Sequence, residues 1–287
     1  MTNAVQRFLL DDLDIRGAVV RLDSVWQKLL TNRNYPAPVI ELLGQMSVTT
    51  ILLADNLKQS GRLTVQLRGD GPVSMLVIDC NEALNVRCMA QHGEDIQAAS
   101  MVDLMGQGQL LLSLDMPSMR EPFQSIVPLV GDSIAQVFEH YLTHSEQLAS
   151  RFFLAATPTG AAGLFLQKMP STDQRDLDGW TRVEALVSTV KPEELLELSA
   201  EELLTRLFHE ETVRVFDAQA VTNDVPEDWE KIGNMLRTLG REEVYAVLTE
   251  RGEIVIRDDL GNLEYRFDQA AIDELFRHTP GTPPTVH

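Results

Sequence analysis

The sequence predicts an α+β fold: an N-terminal domain with an antiparallel β-sheet and helices, a helical linker, and a small C-terminal domain with helices and a β-hairpin. Leu63, Val65 and Leu67 alternate with polar residues, as a strand with one solvated face requires. Residues 171–223 carry amphipathic helical patterns. Near the C-terminus, two alternating segments flank the turn-forming residues 258–262 and predict the hairpin.

Residues 1–170 are predicted to form the N-terminal α/β domain. Its predicted strands occupy residues 16–22, 62–68, 73–79, 84–89 and 109–115. Asp23 or Ser24 can cap a helix after the first of these strands. Apolar positions from Val39 to Leu57 predict a largely buried helix, and a further helix is predicted at 132–150 with Asp132 as its cap.

Residues 171–223 are predicted to be a helical linker and residues 224–287 the C-terminal domain. In the linker, Pro192 suits the first turn of a helix, and residues 199–202 form a capping box. In the C-terminal domain, a short helix is predicted with Pro226 near its start and with apolar positions from Trp229 to Leu239. A second helix is predicted at 242–249, a hairpin at 253–267, and a last helix from Asp268.

The composition restricts the class of protein. The 287 residues are 44% hydrophobic and 23% charged, which is ordinary for a folded chain. A net charge of −19 repels phosphates and anionic lipids, so we expect no nucleic-acid or membrane partner. No secretory signal pattern opens the chain, and we expect no run that approaches a membrane span. A cytoplasmic location is the resulting expectation.

Candidate catalytic motifs are weak, and we expect no enzyme. Residues 131–135 resemble a nucleophile elbow around Ser133, but Ala135 replaces the second glycine. His140 and His144 are one helical turn apart and could face a metal, but Tyr141 stands where a metalloprotease has glutamate. Paired surface histidines are the simpler interpretation. The short glycine-containing segments have no phosphate-loop lysine.

Two cysteines, Cys80 and Cys88, flank a predicted hairpin connection. They are too few for a disulfide scaffold. Two interpretations remain open from the sequence. The thiols could approach closely enough to oxidise, or they could be buried and inert.

Several long segments resemble the redox-regulated heat-shock holdase chaperones, the family of the thirty-three-kilodalton heat-shock protein. The carrying segments are RGAVVRL (16–22), YPAPV (35–39), LLG (42–44), KQSGRLTVQLRGDGP (58–72), SIVPL (125–129), SEQL (145–148), AGLFLQKMP (162–170) and LFHEETVRVFD (207–217). The resemblance implies an N-terminal α/β domain, a helical linker and a small C-terminal domain. It also implies ATP-independent binding of unfolding proteins, hence a stress-response chaperone.

The resemblance also implies a zinc switch, and the sequence departs from the family there. The family's C-terminal domain carries C-x-C and C-x-x-C, four thiolates that hold zinc until oxidation expels it. The matching positions are Val225, Glu227, Asp258 and Gly261. A tetrahedral zinc site needs about four N or S ligands. We therefore expect no zinc and no other cofactor.

Without zinc, the C-terminal domain must fold through its own core. The apolar residues available for that core are Trp229, Ile254, Ile256, Tyr265 and Phe267. We expect the linker helices and the hairpin domain to cover apolar surface on the N-terminal sheet, which heat, acid or client competition would expose.

The candidate client-binding residues are the apolar stripe of the linker helices: Trp180, Val183, Leu186, Leu195, Leu196, Leu203, Leu204 and Leu207. The expected partners are unfolded or partly folded proteins, and the resemblance leaves a homodimer open. The alternative is a non-chaperone adaptor or scaffold that binds one defined partner.

Overall fold

The computed structural model describes residues 2–57, 60–94, 96–97, 100–145 and 147–277. Residues 58, 59 and 146 of the resemblance segments, and residues 278–287 of the predicted C-terminal domain, lie outside this range. The chain divides into two units, the first ending at Asp224 and the second beginning at Val225. The segment predicted as a linker, residues 171–223, belongs to the first unit.

Two antiparallel sheets organise the first unit. The first sheet contains β1 (Ala4–Leu10), β2 (Ile15–Leu22), β8 (Ser150–Ala156), β9 (Ala161–Lys168), β10 (Val213–Val215) and β11 (Gln219–Ala220). Its strand order is β10-β1-β2-β9-β8, and β11 also pairs with β1. The second sheet contains β3 (Arg62–Gly69), β4 (Val73–Cys80), β5 (Val86–His92), β6 (Gly108–Asp115) and β7 (Phe123–Pro128). Its strand order is β5-β4-β3-β6-β7.

Eight described helices complete the first unit. They are α1 (Ser24–Leu30), α2 (Ala37–Asp55), α3 (Met101–Met105), α4 (Ile134–Ser145), α5 (Thr172–Arg175), α6 (Gly179–Val187), α7 (Pro192–Glu197) and α8 (Ala200–Leu207). The predicted capping box at the start of α8 is present: the Ser199 hydroxyl accepts the Glu202 N–H, and the Glu202 carboxylate accepts the Ser199 N–H. Pro192 is the first residue of α7, as predicted.

The core of the first unit surrounds α2. Leu43, Met46 and Ile51 are fully buried, and the helix contacts strands of both sheets. By length and composition α2 could cross a membrane, with 61% of its apolar window buried inside the protein. The expectation that no run approaches a membrane span was therefore wrong. A helix covered by sheets on several sides is apolar on most of its surface.

Two predicted helix caps were also wrong. The Asp23 side chain makes no cap bond at α1, and the Asn3 Oδ1 accepts the N–H groups of Asp23 and Val25 instead, at 2.9 and 3.0 Å. At α4, the Ser133 hydroxyl accepts the Gln136 N–H at 3.3 Å, in place of Asp132. Because α4 begins at Ile134, Ser133 is the residue next to the unsatisfied amides.

The predicted strands of the first unit are confirmed, with shifted ends. The strand predicted at 84–89 begins at Val86, because residues 81–85 form a turn in which Leu84 has a φ of 54°. The helix predicted at 132–150 ends at Ser145, and β8 begins at Ser150. The sequence did not predict β1, β7, β8, β9, β10 or β11.

The second unit contains three helices and a two-stranded hairpin in its described part. These are α9 (Trp229–Leu239), α10 (Arg241–Arg251), β12 (Ile254–Asp258), β13 (Leu263–Phe267) and α11 (Gln269–Arg277). Its core consists of the buried residues Ile232, Leu236, Val244, Leu248, Ile254, Tyr265, Phe267 and Ile272. The predicted helices and hairpin are present, but the first helix begins at Trp229, where the Asp228 side chain caps it, and Pro226 lies outside the helix.

Candidate functional site

One face of the first sheet is apolar and is covered by the short helices α6, α7 and α8. The sheet contributes buried side chains to this face, among them Phe8, Ile15 and Leu164. Because side chains alternate along a strand, the opposite face of the same sheet packs on α2 through Ala18, Val20 and other residues. The sheet is therefore buried on both faces. We call the face under the helices the covered face.

The predicted client-binding residues all lie at this contact. Trp180, Val183, Leu195, Leu203, Leu204 and Leu207 are buried, and Leu186 and Leu196 are partly buried against the same cluster. The prediction identified the helical half of the contact. It did not identify the sheet residues that these side chains touch.

The chain between β9 and β10, residues 169–212, carries the covering helices, and we call it the covering segment. Phe208 is the largest fully buried side chain that this segment contributes to the covered face, and the prediction missed it. It follows α8, and its ring centroid lies 5.9 Å from that of Phe8 on β1. Gly17, paired with Phe8 across the strands, makes room: a Cβ there would collide with the Phe8 ring and lie 2.8 Å from the Phe165 carbonyl oxygen. Phe208 lies one position beyond the leucine stripe, so helical periodicity alone could not locate it.

Ion pairs hold the covering segment at its edges. Arg182 of α6 contacts Asp176 and Glu211, each at 3.0 Å, and so links the start of the segment to its end. The hydrogen bond from Arg182 lowers the pKa of the Asp176 carboxyl, and the same bond raises the pKa of Arg182. The Arg21 guanidinium donates to the Glu197 carbonyl oxygen at 2.7 Å, between β2 and α7.

After the helices, the chain returns to the first sheet. β10 pairs with β1 through Val213, Arg214 and Val215, and Arg214 lies 2.9 Å from Asp11. β11 extends the contact with the other end of β1. The covering segment is therefore joined to one sheet at both of its ends.

A second apolar surface is already exposed. β7 is an edge strand of the second sheet, and Phe123 and Ile126 are 54% and 62% exposed. An edge strand presents unpaired backbone groups to which an extended chain can add. We call this surface the β7 edge. A client could reach it while the covering helices stay in place.

Three of the four positions that the resemblance assigns to the family's zinc cysteines come together in the second unit. Asp258 Oδ1 accepts the Gly261 N–H at 2.9 Å, and Val225 Cγ1 lies 3.1 Å from where a Cβ on Gly261 would stand. Glu227 instead accepts a hydrogen bond from the Trp229 indole N–H at 2.7 Å.

These residues do not fit a structural zinc ion. Val225 and Gly261 have no ligand atom, and the carboxylates of Glu227 and Asp258 each accept a hydrogen bond from the protein. Across the described residues, no group of three or more His, Cys, Asp or Glu side chains is placed to hold a metal. Apolar contacts occupy the neighbourhood instead: the half-exposed Trp229 ring packs edge-on against Tyr265 and Phe267, at 4.9 and 5.5 Å between centroids.

The weaker candidates from the sequence have structural explanations. Ser133 caps α4, and the His144 ring bonds the His140 carbonyl oxygen at 2.9 Å while stacking on the His140 ring. Cys80 and Cys88 are free and buried. They are not opposite each other, since Cys80 pairs with Val86 and Cys88 with Ile78. Burial raises the pKa of Cys80 to about 12 and that of Cys88 to about 11.

Comparisons with known proteins agree with this architecture. The model of the Hsp33 protein family matches residues 3–268. A 33 kDa chaperonin of Chromobacterium violaceum is 41% identical over 95% of this chain and 93% of its own length. That of Methylobacillus flagellatus is 38% identical over 96% of this chain and 95% of its own. The crystal structure of the 33 kDa chaperonin (heat shock protein 33 homolog) of Thermotoga maritima has the same fold, with a TM-score of 0.82, 21% identity, and coverage of 96% of this chain and 98% of that one.

The fold and the family match define the class of protein as a heat-shock molecular chaperone. The chain belongs to the Hsp33 family. The region that corresponds to the family's switch, residues 225–287, contains no cysteine.

Proposed function

We propose that the protein is an ATP-independent holdase that binds unfolding proteins and prevents their aggregation. The observation that carries this function is the covered face: a continuous apolar sheet surface that lies under short amphipathic helices. Large apolar surfaces that can be exposed are binding sites for other chains. The binding surface comprises the covered face together with the apolar stripe of α6 to α8.

The covering helices depend on the sheet for their stability. α6, α7 and α8 have between six and nine residues each. Isolated helices shorter than about 12–15 residues are marginal in water. Once they leave the sheet, these helices should unfold and present their leucines to a client. Local opening of this kind is available below the cost of global unfolding.

We propose that heat or client competition opens the segment, without zinc or thiol oxidation. Val225 and Gly261 offer no thiolate, and the second unit has an apolar core of its own. Protonation of Asp176 would weaken the covering segment, but it requires a low pH. Because its folded-state pKa is lowered, the stability it contributes is complete above the ordinary aspartate pKa of about 3.9 and is lost as the pH falls through the folded-state value.

The test is light scattering of a chemically denatured client diluted into buffer with this protein, without ATP. The assay is run at ambient and raised temperature, each with reductant and with peroxide. Suppression of aggregation that is indifferent to peroxide supports the proposal. No suppression under any condition overturns it and favours the adaptor alternative, which a pull-down yielding one stoichiometric partner would then identify.

A pair of variants separates the two apolar surfaces. Ile126→Asp places a charge on the exposed β7 edge, and Leu204→Asp places one under the covering helices. If clients bind the β7 edge constitutively, Ile126→Asp removes activity at ambient temperature. If clients bind the covered face, Ile126→Asp leaves activity intact, and Leu204→Asp raises activity at ambient temperature because it releases α8.

We also propose a cytoplasmic location, no catalytic activity, and no nucleic-acid or membrane partner. The net charge of −19 supports the exclusion of polyanionic partners. α2, the apolar helix, is accounted for by the core of the first unit. Whether the chaperone forms a homodimer on activation is a prediction that sedimentation at raised temperature can test.

A further inference from the structure

A cavity of about 430 Å³ lies between the two sheets of the first unit. Most of its lining side chains are apolar, among them Leu53, Leu63, Leu112, Leu142 and Phe165. Four polar side chains also line it, namely Arg16, Asn56, Tyr141 and Gln167. Cavities of this size that combine apolar walls with a few polar groups are typical small-molecule sites.

Arg16 occupies a position that strand alternation assigns to the interior. Ala18 and Val20, the next residues on the same side of β2, are buried in the main core. Arg16 is half-buried at the end of this row and pairs in register with Gln167 on β9. A cationic side chain at an inward-facing position is costly unless an anion accompanies it.

In the described part of the chain, Arg16 has an amide partner and no carboxylate partner. Gln167 Oε1, which is buried, accepts Arg16 Nε–H at 2.6 Å and also accepts from Nη2. Burial lowers the pKa of Arg16. A guanidinium has five N–H donors. Gln167 uses two of them, so donors remain for a ligand.

We propose that this cavity binds a small amphipathic carboxylate with an unbranched apolar tail, of the medium-chain fatty-acid type. The carboxylate pairs with Arg16, whose planar guanidinium matches the geometry of a carboxylate. The tail lies against the leucines of α2, β3 and β6. The carboxylate thus neutralises the inward-facing cation, and the tail fills the apolar volume of the cavity.

This site is distinct from the covered face. Arg16 and Gln167 point to the side of the first sheet that faces α2, whereas the covering helices pack on the other side through residues such as Val19 and Leu166. Binding in the cavity can therefore be tested with the covering helices in place. The result does not depend on whether the protein is a holdase.

The experiment is calorimetric titration of the full chain with decanoate and with decanol, which has the same tail length and no charge. We expect decanoate to bind with one site per chain and at least about tenfold more tightly than decanol, because the pair with Arg16 is charge-assisted. Equal affinity for the two ligands, or several weak decanoate sites per chain, overturns the proposal.

Two variants complete the test. Arg16→Gln should weaken decanoate binding at least about tenfold and leave decanol unchanged, and Arg16→Lys should retain part of the preference. The matched control is Arg68→Gln, because Arg68 on β3 also donates to a glutamine, Gln66, but is exposed outside this cavity. An equal loss in the Arg16→Gln and Arg68→Gln variants contradicts the site. If Arg16→Gln fails to fold, the comparison of decanoate with decanol on the unchanged protein decides.

Discussion

Asp258 and Gly261, which the resemblance assigns to the second cysteine pair of the family, are hydrogen-bonded to each other across the hairpin turn at 2.9 Å. Val225, which it assigns to the first pair, packs against the same glycine. Three of the four assigned positions are therefore neighbours, joined by a carboxylate–amide bond and an aliphatic contact.

The effects of substitutions at Asp258 and Gly261 on the free energy of unfolding should not be additive. Asp258→Ala removes the bond to the Gly261 N–H and should cost about 1 kcal/mol of unfolding free energy. In Gly261→Ala, the new methyl group collides with the Asp258 carboxylate, which should cost about 1–3 kcal/mol. The double variant should cost less than the sum of the two, because the colliding carboxylate is gone.

Hydrogen exchange of residues 229–267 at increasing urea concentration, followed by mass spectrometry, measures this cycle within the second unit. Tryptophan fluorescence would not isolate that unit, because Trp26 and Trp180 lie in the first unit. Glu250→Ala, an exposed carboxylate on α10, is the matched control and should leave the stability nearly unchanged. Additive costs for the two substitutions would show that Asp258 and Gly261 are not coupled.

Phe208 should control access to the covered face. Phe208→Ala removes a buried ring that packs on Phe8 and should weaken the covering segment by about 3–5 kcal/mol. We expect the variant to suppress client aggregation at ambient temperature and to show faster amide exchange in residues 175–215. Hydrogen exchange followed by mass spectrometry checks the second expectation.

Phe216→Ala is the control for this variant, because Phe216 is an aromatic residue near the same segment with a side chain that is 44% exposed. It should change neither exchange nor activity. Uniformly high protection of residues 175–215 in the Phe208→Ala variant would exclude the opening of these helices as the route to activity.

The two cysteines should not respond to oxidant. With pKa values raised to about 12 for Cys80 and about 11 for Cys88, almost no thiolate is present near neutral pH, and the thiolate is the reactive form. Both thiols should remain unmodified when the folded protein is exposed to peroxide, and both should react in denaturant. Intact-mass analysis after alkylation measures this. Oxidation of either thiol in the folded protein would contradict this prediction and would support a redox role for that cysteine.

Asp55 at the end of α2 should destabilise the fold at neutral pH. Its side chain is 1% exposed, its Oδ2 atom makes no hydrogen bond, and its ion partner Arg7 is 3.5 Å away. A carboxylate at a helix C-terminus is also opposed by the helix dipole. Asp55→Asn should therefore raise the unfolding free energy at pH 7.5 by about 1–3 kcal/mol.

The pH dependence of this difference has a definite sign. Burial raises the folded-state pKa of Asp55 above its unfolded value, so the folded state binds the proton more tightly. The wild-type chain regains stability as the pH falls through the raised pKa towards the ordinary value of about 3.9. The advantage of Asp55→Asn should shrink from pH 7.5 to pH 4.5 in urea unfolding, with the exposed Glu82→Gln as control. A constant advantage would assign the effect to packing.

The sequence predicted the elements with clear periodicity, and the missed elements have physical reasons. β3 shows clean alternation because its residues alternate between buried and more exposed positions. In β9, every residue from Ala161 to Gln167 is buried, so the strand carries no alternating signal. β10 and β11 have three and two residues and exist through their pairing with β1, which is distant in sequence.

Of the candidate site, the sequence could predict the helix residues and could not predict the sheet residues that they cover. Helical spacing located the leucines of α8, which are buried as a stripe. The sheet residues beneath them, and Phe208 beyond the helix, depend on strand order and could not be read from spacing. The switch positions were placed by family resemblance, whereas the convergence of Val225, Asp258 and Gly261 depends on the fold of the second unit.

Residues 169–212 form a loop whose two ends are fixed in one sheet, since β9 precedes it and β10 follows it. Release of the helices therefore cannot carry them away from the surface they leave. If clients bind the covered face as proposed, the detached segment should stay at a high effective concentration beside the sheet and compete with the bound client. We then expect a client to be held only while it binds the sheet better than this segment does. We also expect closure to need neither a second molecule nor a nucleotide.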